Sequence, residues 1–371
     1  MKFQISKQVI FKSLTHLQGI VDKKNTLPIL ANILIEAKDN TLILSSTDMD
    51  ISVVEKLSCN VTEDGSTTIN SQILYDIVRK LDDNSEVEII SNNGKILTLR
   101  ASGSRFSLAC LPKEDFPIID TRNDGTKLKL NSKVFFKLID KTKFAISNEE
   151  TRYFLNGLYF NIHKEDDKTN VTLVGTDGHR LAKFSQQIDN DIQKIIGAII
   201  PKKTIYELSK LFSEIDEDIN IFISPNKIVF ILSNIIFNSK LIDGSFPDYK
   251  RVIPNNNNNI LKINRNKLLS AVDRVSTIAN EKSPVIKFKL FENILNLNTI
   301  NNESSTASED LKINYNGDEI EIGFNSKYIM DIVNNLEDEE ISINLKDNTS
   351  PILALENSNS NLVYVLMPMR V

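Results

Sequence analysis

The 371-residue sequence predicts an α+β protein made of three copies of one domain, each with two helices packed on antiparallel sheet. Three observations predict it. Amphipathic helix patterns begin near residues 11, 136 and 269. A second helical pattern follows each, LYDIVRKL at 74–81, IYELSKLF at 205–212 and IMDIVNNL at 329–336, the first and last sharing Asp-Ile-Val. Short alternating segments lie between, and the first two copies close alike, on EDFP at 114–117 and GSFP at 244–247. This period exceeds the roughly 20–50 residues of a solenoid unit, so the repeat is a whole domain. The expected domains are 1–124, 125–254 and 255–371, related by rotational pseudo-symmetry.

In the first copy the strand KFQI precedes a helix whose stripe is Ile10, Phe11, Leu14, Leu17 and Val21, with Ser6 as expected N-cap. TLILSS at 41–46 and ISVVEKLS at 51–58 read as strands, EDG at 63–65 as a turn, and Ile73 to Leu81 as the second helix. EVEII, KILTLR and RFSLACL complete a meander, the first two separated by the turn residues SNNG. The second copy places a helix after Ser132 on Phe135, Leu138 and Ile139, strands at GLYFNI and VTLVGT, and a helix after Pro201. The Asn run at 255–259 reads as a surface linker by composition. The third copy carries a helix on Leu268, Val272 and Val275 and ends in a strand, LVYVLMPMRV, running to the last residue.

Hydrophobic content of 41% and charged content of 25% are those of an ordinary globular chain. No apolar run approaches the roughly 20 residues that span a bilayer. The N-terminus, MKFQISKQVIFKS, lacks the apolar core and cleavage site of a signal peptide. Cys59 and Cys110 have no CxxC spacing, which predicts neither a metal site nor a disulfide framework and places the chain in a reducing, intracellular compartment.

The net charge of −5 argues against nucleic acid, but its distribution does not. Lys2, Lys7, Lys12, Lys23 and Lys24 face only Asp22 in the first helical window. Lys127, Lys129, Lys133, Lys137, Lys141 and Lys143 face only Asp140 in the second, and Lys262, Arg265, Lys267 and Arg274 face only Asp273 in the third. On one helix such a bias is a solvated face; on three equivalent helices it predicts a shared cationic surface.

GTDGHRLA at 175–182 is open to two readings. Asp177 and His179 could form an acid–base pair with Arg180 as anion clamp. Alternatively Thr-Asp opens a tight turn with Gly178 at positive φ, as the parallel Thr47 and Asp48 suggest. No nucleophile with a companion base stands elsewhere, and His16, His163 and His179 lack ligand-like spacing. Neither a P-loop nor a GxGxxG motif is present. YVLMPMRV is an apolar chain end in which Pro368 breaks a strand and Met367 and Met369 supply adaptable thioethers, which predicts an exposed ledge for apolar partners.

Six segments together carry a resemblance: TLPILAN (26–32), TRYFLNGLYF (151–160), TDGHRLA (176–182), SKLIDGSFPDYKRVIP (239–254), EIGFN (321–325) and YVLMPMR (364–370). In order and over the whole chain, the sequence resembles the bacterial DNA polymerase III β subunits, the DNA sliding clamps. The resemblance implies the DNA clamp fold and a head-to-tail dimeric ring around duplex DNA. It implies a processivity factor rather than an enzyme, with no cofactor and no metal. Implied partners are double-stranded DNA, a second copy, the polymerase III alpha subunit, the clamp loader, and other polymerases and repair proteins carrying a clamp-binding peptide. The resemblance further implies no membrane partner and a cytoplasmic location, at the nucleoid.

The resemblance also implies site residues. A peptide groove would use Leu155, then Thr176, Gly178, His179, Arg180 and Leu181, then Pro247, Arg251 and Val252. Asn325 and Tyr328 would join it, with Val365, Leu366, Met367, Pro368, Met369 and Arg370 from the chain end. DNA would meet Lys24, Arg152, Tyr153, Phe154, Lys202 and Lys203. The dimer contact would set Arg100, Arg105 and Phe106 against Thr277, Ile278 and Glu303. Ser283, Pro351 and Val371 depart from the family pattern at the groove, Gly103 at the dimer contact, and Glu149 and Phe154 at the DNA loop. On the residues alone, a hydrolase or lyase built on Asp177, His179 and Arg180 and a protein-only scaffold remain competing readings.

Overall fold

The structure is a computed structural model that describes residues 1–21, 27–165, 168–189, 196–280, 284–300 and 305–370, the Ile300 side chain excepted. The six expected helices form: α1 (Lys7–Gln18), α2 (Ser71–Arg79), α3 (Ser132–Asp140), α4 (Lys202–Ser213), α5 (Arg265–Ser276) and α6 (Ser326–Asn335). Each starts directly after a strand. Asn70, Asn264 and Asn325 cap α2, α5 and α6 by accepting a first-turn backbone N–H on their side chains. Ser6 holds the N-cap position of α1 but makes no side-chain cap. Ile10, Leu14 and Leu17 bury the α1 stripe, whereas Phe11 is half-buried and stacks on Tyr75 of α2 at 5.4 Å.

The chain packs as two compact units, Met1–Phe136 with Lys203–Leu241 and Lys137–Lys202 with Ile242–Val371. The sequence repeats are therefore not the packing units, because hydrogen-bonded ladders cross the repeat boundaries. In the first unit Ile235–Lys240 pairs with Ile51–Ser58, Phe237 opposite Val53, inside an eight-stranded antiparallel sheet. In the second, Arg180–Ile188 pairs with Leu362–Leu366, Ala182 opposite Tyr364, inside a nine-stranded sheet. A five-stranded sheet completes the first unit and ends on the edge strand Ser104–Ala109. A four-stranded sheet completes the second and ends on Thr306–Lys312.

Several expectations need correction. EDG is only the break between the strands Asn60–Glu63 and Gly65–Asn70. The Asn run is not a plain surface linker. Asn257 is buried and donates to the carbonyls of Asn344 (2.9 Å) and Pro351 (2.8 Å), and Asn259 opens the strand Asn259–Asn264. The final strand stops at Leu366 rather than at the chain end. Pro368 has no N–H for a ladder, and the chain turns so that Met367 N–H donates to His179 O and Met369 N–H to Gly323 O, each at 2.8 Å.

The helix cations do not form a free row. Lys7 is buried against Asp83 at 2.5 Å, Lys133 pairs with Asp216, Lys141 is buried against Glu337 at 2.7 Å, and Arg274 pairs with Glu309. The carboxylates come from neighbouring elements distant in sequence, so composition windows do not reveal them. Lys12, Lys262 and Lys267 are exposed. Lys23 and Lys24 lie outside the described residues.

Candidate docking groove

An apolar groove of about 300 Å³ lies in the second unit, and four separate segments build it. Leu155, Leu181 and Val365 are buried in its wall, the last two in a cluster with Val174 and Tyr249. Phe246 stacks flat on Tyr159, with centroids 4.8 Å apart, and stiffens the side that carries Pro247. Val252 and Met367 stand at the mouth, 48% and 41% exposed. Burying one leucine- or phenylalanine-sized anchor in such a groove is worth about 1.5–3 kcal/mol.

The turn between Lys168–Thr176 and Arg180–Ile188 resolves the GTDGHRLA question. Asp177 Oδ1 accepts from the backbone N–H of His179 (2.9 Å) and Arg180 (3.0 Å), and Oδ2 accepts from Arg180 Nε (3.0 Å). Thr176 Oγ1 donates to Arg180 O and accepts from Gly178 N–H. In the first repeat Thr47 and Asp48 repeat this pattern onto Ile51, Met49 and Asp50. Asp177 is thus a turn-former, and its carboxylate is occupied by donors. His179 is exposed and lies beside Tyr328, ring centroids 6.5 Å apart. The acid–base reading has no geometry to support it.

Arg180 is likewise spent. Its guanidinium donates to Asp177, Asp331 and Phe144 O (2.7 Å) and lies 4.3 Å from the Tyr328 ring centroid. It braces the groove rather than clamping an anion. Burial, helped by nearby Asp177, pushes the Tyr328 phenol above its ordinary range.

Arg152 crosses the groove beside Gly178. Its Nε and Nη2 donate to Glu149 at 2.8 and 2.6 Å, a bidentate pair that holds the Glu149 carboxyl below its usual range and the guanidinium above its own. Gly178 has φ +87°, and a Cβ there would meet the Arg152 guanidinium.

Leu155, Thr176, Gly178, His179, Arg180, Leu181, Pro247, Val252, Val365 and Met367 therefore come together around this groove. Arg152 and Phe154, expected at DNA, also line it. Arg251 points to solvent and pairs with Asp248, and Leu366 is buried in the sheet. Asn325 caps α6, and Tyr328 meets the groove through Arg180 and the His179 ring. Pro368 and Met369 are half-buried and Arg370 is exposed. Ser283 and Val371 lie outside the described residues. The sequence reading missed Phe246 and Tyr249; the signal was the aromatic residues flanking Pro247 in a segment that repeats EDFP.

Of the other expected DNA residues, Tyr153 is 54% exposed, and Lys202 donates to Asn148 Oδ1. Lys203 donates to Ile20 O at 3.0 Å and pairs with Asp48. Of the expected dimer residues, Arg105 and Phe106 lie on the edge strand Ser104–Ala109, with Arg100 opposite Arg105 and paired to Glu88. Gly103, at φ +80° after Ser102 at +46°, makes the tight turn between those strands. Thr277 follows α5, Ile278 is half-buried beside it, and Glu303 lies outside the described residues.

Residues 1–120, 129–248 and 250–370 match, in order, the N-terminal, central and C-terminal domains of the DNA polymerase III beta subunit. The beta sliding clamp of Caulobacter vibrioides is 38% identical over 372 aligned positions, covering 100% of both chains. A crystal structure of the sliding clamp of Bartonella birtlesii bound to griselimycin superposes with a TM-score of 0.97 at 42% identity over 100% of each chain. The DNA polymerase III subunit beta of Pseudomonas aeruginosa does so with a TM-score of 0.95 at 32% identity, again over 100% of each. With three domain families matched in sequence and in fold, the chain belongs to the DNA polymerase III beta subunit family, the beta sliding clamps, which act as processivity factors of DNA replication and not as enzymes.

Proposed function

We propose that two copies of this chain close head to tail into a ring around duplex DNA and tether the replicative polymerase through the groove. The observation that carries the tether is the groove itself: a buried apolar wall, an exposed Met367 and Val252 at its mouth, and a rim held rigid by Arg180. It fits a short linear peptide with a leucine or phenylalanine anchor. The polymerase III alpha subunit, the clamp loader, and other polymerases and repair proteins would compete for it. Tethering raises the polymerase's effective concentration at its template without any chemistry in the clamp.

The proposed domains are 1–124, 125–254 and 255–371. The strands Ser104–Ala109 and Thr306–Lys312 are open sheet edges, which invite edge-to-edge pairing between copies. Arg100, Arg105 and Phe106 would meet Thr277, Ile278 and Glu303 there. Lys24, Arg152, Tyr153, Phe154, Lys202 and Lys203 would touch phosphates, with the exposed Lys12 and Lys267 adding to them. Such contacts carry no sequence information and weaken with salt, which permits sliding. The place of action is the cytoplasm, at the nucleoid.

The test is retention after loading by a clamp loader. A clamp stays on nicked circular DNA and slides off the same DNA once linearised; equal release from both refutes the ring. His179→Ala should weaken binding of an anchor peptide, with no hydrolytic turnover in either protein.

A further inference from the structure

We propose that His16 and Glu214 form a binding site for a divalent transition cation of the zinc type, in the first unit and away from the docking groove. His16 lies in the last turn of α1, and its side chain is only 7% exposed. Nδ1 stands 3.0 Å from Glu55 Oε2, and Glu55 is itself buried and accepts from Ser13 Oγ (2.8 Å) and Asn234 Nδ2 (3.3 Å). A carboxylate so placed accepts a hydrogen bond from Nδ1–H and leaves the Nε2 lone pair for another ligand. That carboxylate–histidine relay is the arrangement that orients imidazoles toward metals.

Nε2 is buried and has no hydrogen-bond partner among the described residues, and Glu214 Oε2 faces it at 3.9 Å. At a tetrahedral angle two zinc–ligand bonds of about 2.1 Å set the ligand atoms about 3.4 Å apart. Two hydrogen bonds of about 2.9 Å from an ammonium or a water set them about 4.7 Å apart at the same angle. The 3.9 Å gap lies nearer the first value. Imidazole with carboxylate also suits zinc rather than magnesium or calcium, which take oxygen. A polar cavity of about 470 Å³ opens beside the pair, with Glu217 and Ser233 in its wall, and admits water to the remaining coordination positions. Among the described residues no three His, Cys, Asp or Glu groups converge as a cage, so the ion is held by two protein ligands and exchanges readily.

Glu214 directly follows α4, so the cation would staple α1 of the first repeat to α4 of the second. The test is calorimetric titration of the full chain with zinc chloride in chelator-free buffer, with melting temperature and zinc K-edge absorption as companion readouts. We expect one equivalent per chain in the micromolar range, a raised melting temperature reversed by EDTA, and one imidazole in the zinc shell. Glu214→Gln, half exposed and safe for folding, should weaken uptake tenfold or more, and His16→Gln should abolish it. His179→Ala, which removes the exposed histidine, should leave it unchanged. No uptake by the wild type, equal uptake by Glu214→Gln, or loss in His179→Ala overturns the site. None of these readouts uses DNA or peptide, so they stand apart from the clamp assignment.

Discussion

The Arg180 guanidinium lies 4.3 Å from the Tyr328 ring centroid while donating to Asp177, Asp331 and the Phe144 carbonyl. One planar side chain thereby ties the groove turn to α6. Arg180→Lys keeps the charge and loses the fork. The expected cost is about 1–3 kcal/mol in urea unfolding and roughly tenfold in anchor-peptide affinity by fluorescence anisotropy. Unchanged values for both would show that the network is decorative.

Gly178 and Met49 occupy the same place in equivalent turns, at φ +87° and +79°. Met49 shows that this turn admits a side chain at a backbone cost, and at 178 the Arg152 guanidinium also stands where a Cβ would go. Gly178→Ala should cost about 1–2 kcal/mol, and the double variant with Arg152→Ala should recover part of that loss. Strict additivity in the double-mutant cycle would assign the cost to the backbone alone.

Glu149 holds Arg152 by two hydrogen bonds. Glu149→Gln releases the guanidinium for phosphate. The expected result is tighter retention on DNA and a salt dependence steeper by about one unit in log–log slope. An identical slope in the variant would exclude Arg152 as a phosphate contact.

Lys141 is buried and is neutralised by Glu337, whose carboxyl it holds below the usual range, with Lys137 adding a smaller charge effect. The folded pKa lies below the unfolded one. This stabilisation is therefore complete above about pH 4.3 and is lost as pH falls through the folded value. Glu337→Gln should cost about 1–2 kcal/mol at pH 7, less than a fully buried pair because Glu337 is more than half exposed. Chemical unfolding at pH 7 and below pH 4 checks it: the gap between variant and wild type should shrink on acidification.

Asn257 is the buried member of the Asn run, donating to two carbonyls. Asn257→Ala leaves both acceptors dry and should cost about 1–3 kcal/mol. Asn256→Ala, at an exposed position, should be nearly silent in the same thermal melts.

The threefold repeat, the six helices and the Thr-Asp turn were legible in the sequence because each rests on neighbours a few residues apart: helix phase, an Asx hydrogen bond, a positive φ. Membership in the clamp family was legible too, through six short segments in order. The groove was not legible residue by residue. Its walls come from 152–155, 176–181, 246–252 and 365–367, and what joins them is the ladder between Arg180–Ile188 and Leu362–Leu366. Backbone pairing across nearly two hundred residues leaves no periodic trace in either strand. For the same reason composition could count the helix cations but not their partners, and could see five asparagines without seeing that Asn257 alone is buried. Local chemistry thus set the elements and their repetition. Long-range sheet pairing decided which side chains meet, which charges cancel and where an apolar surface stays open.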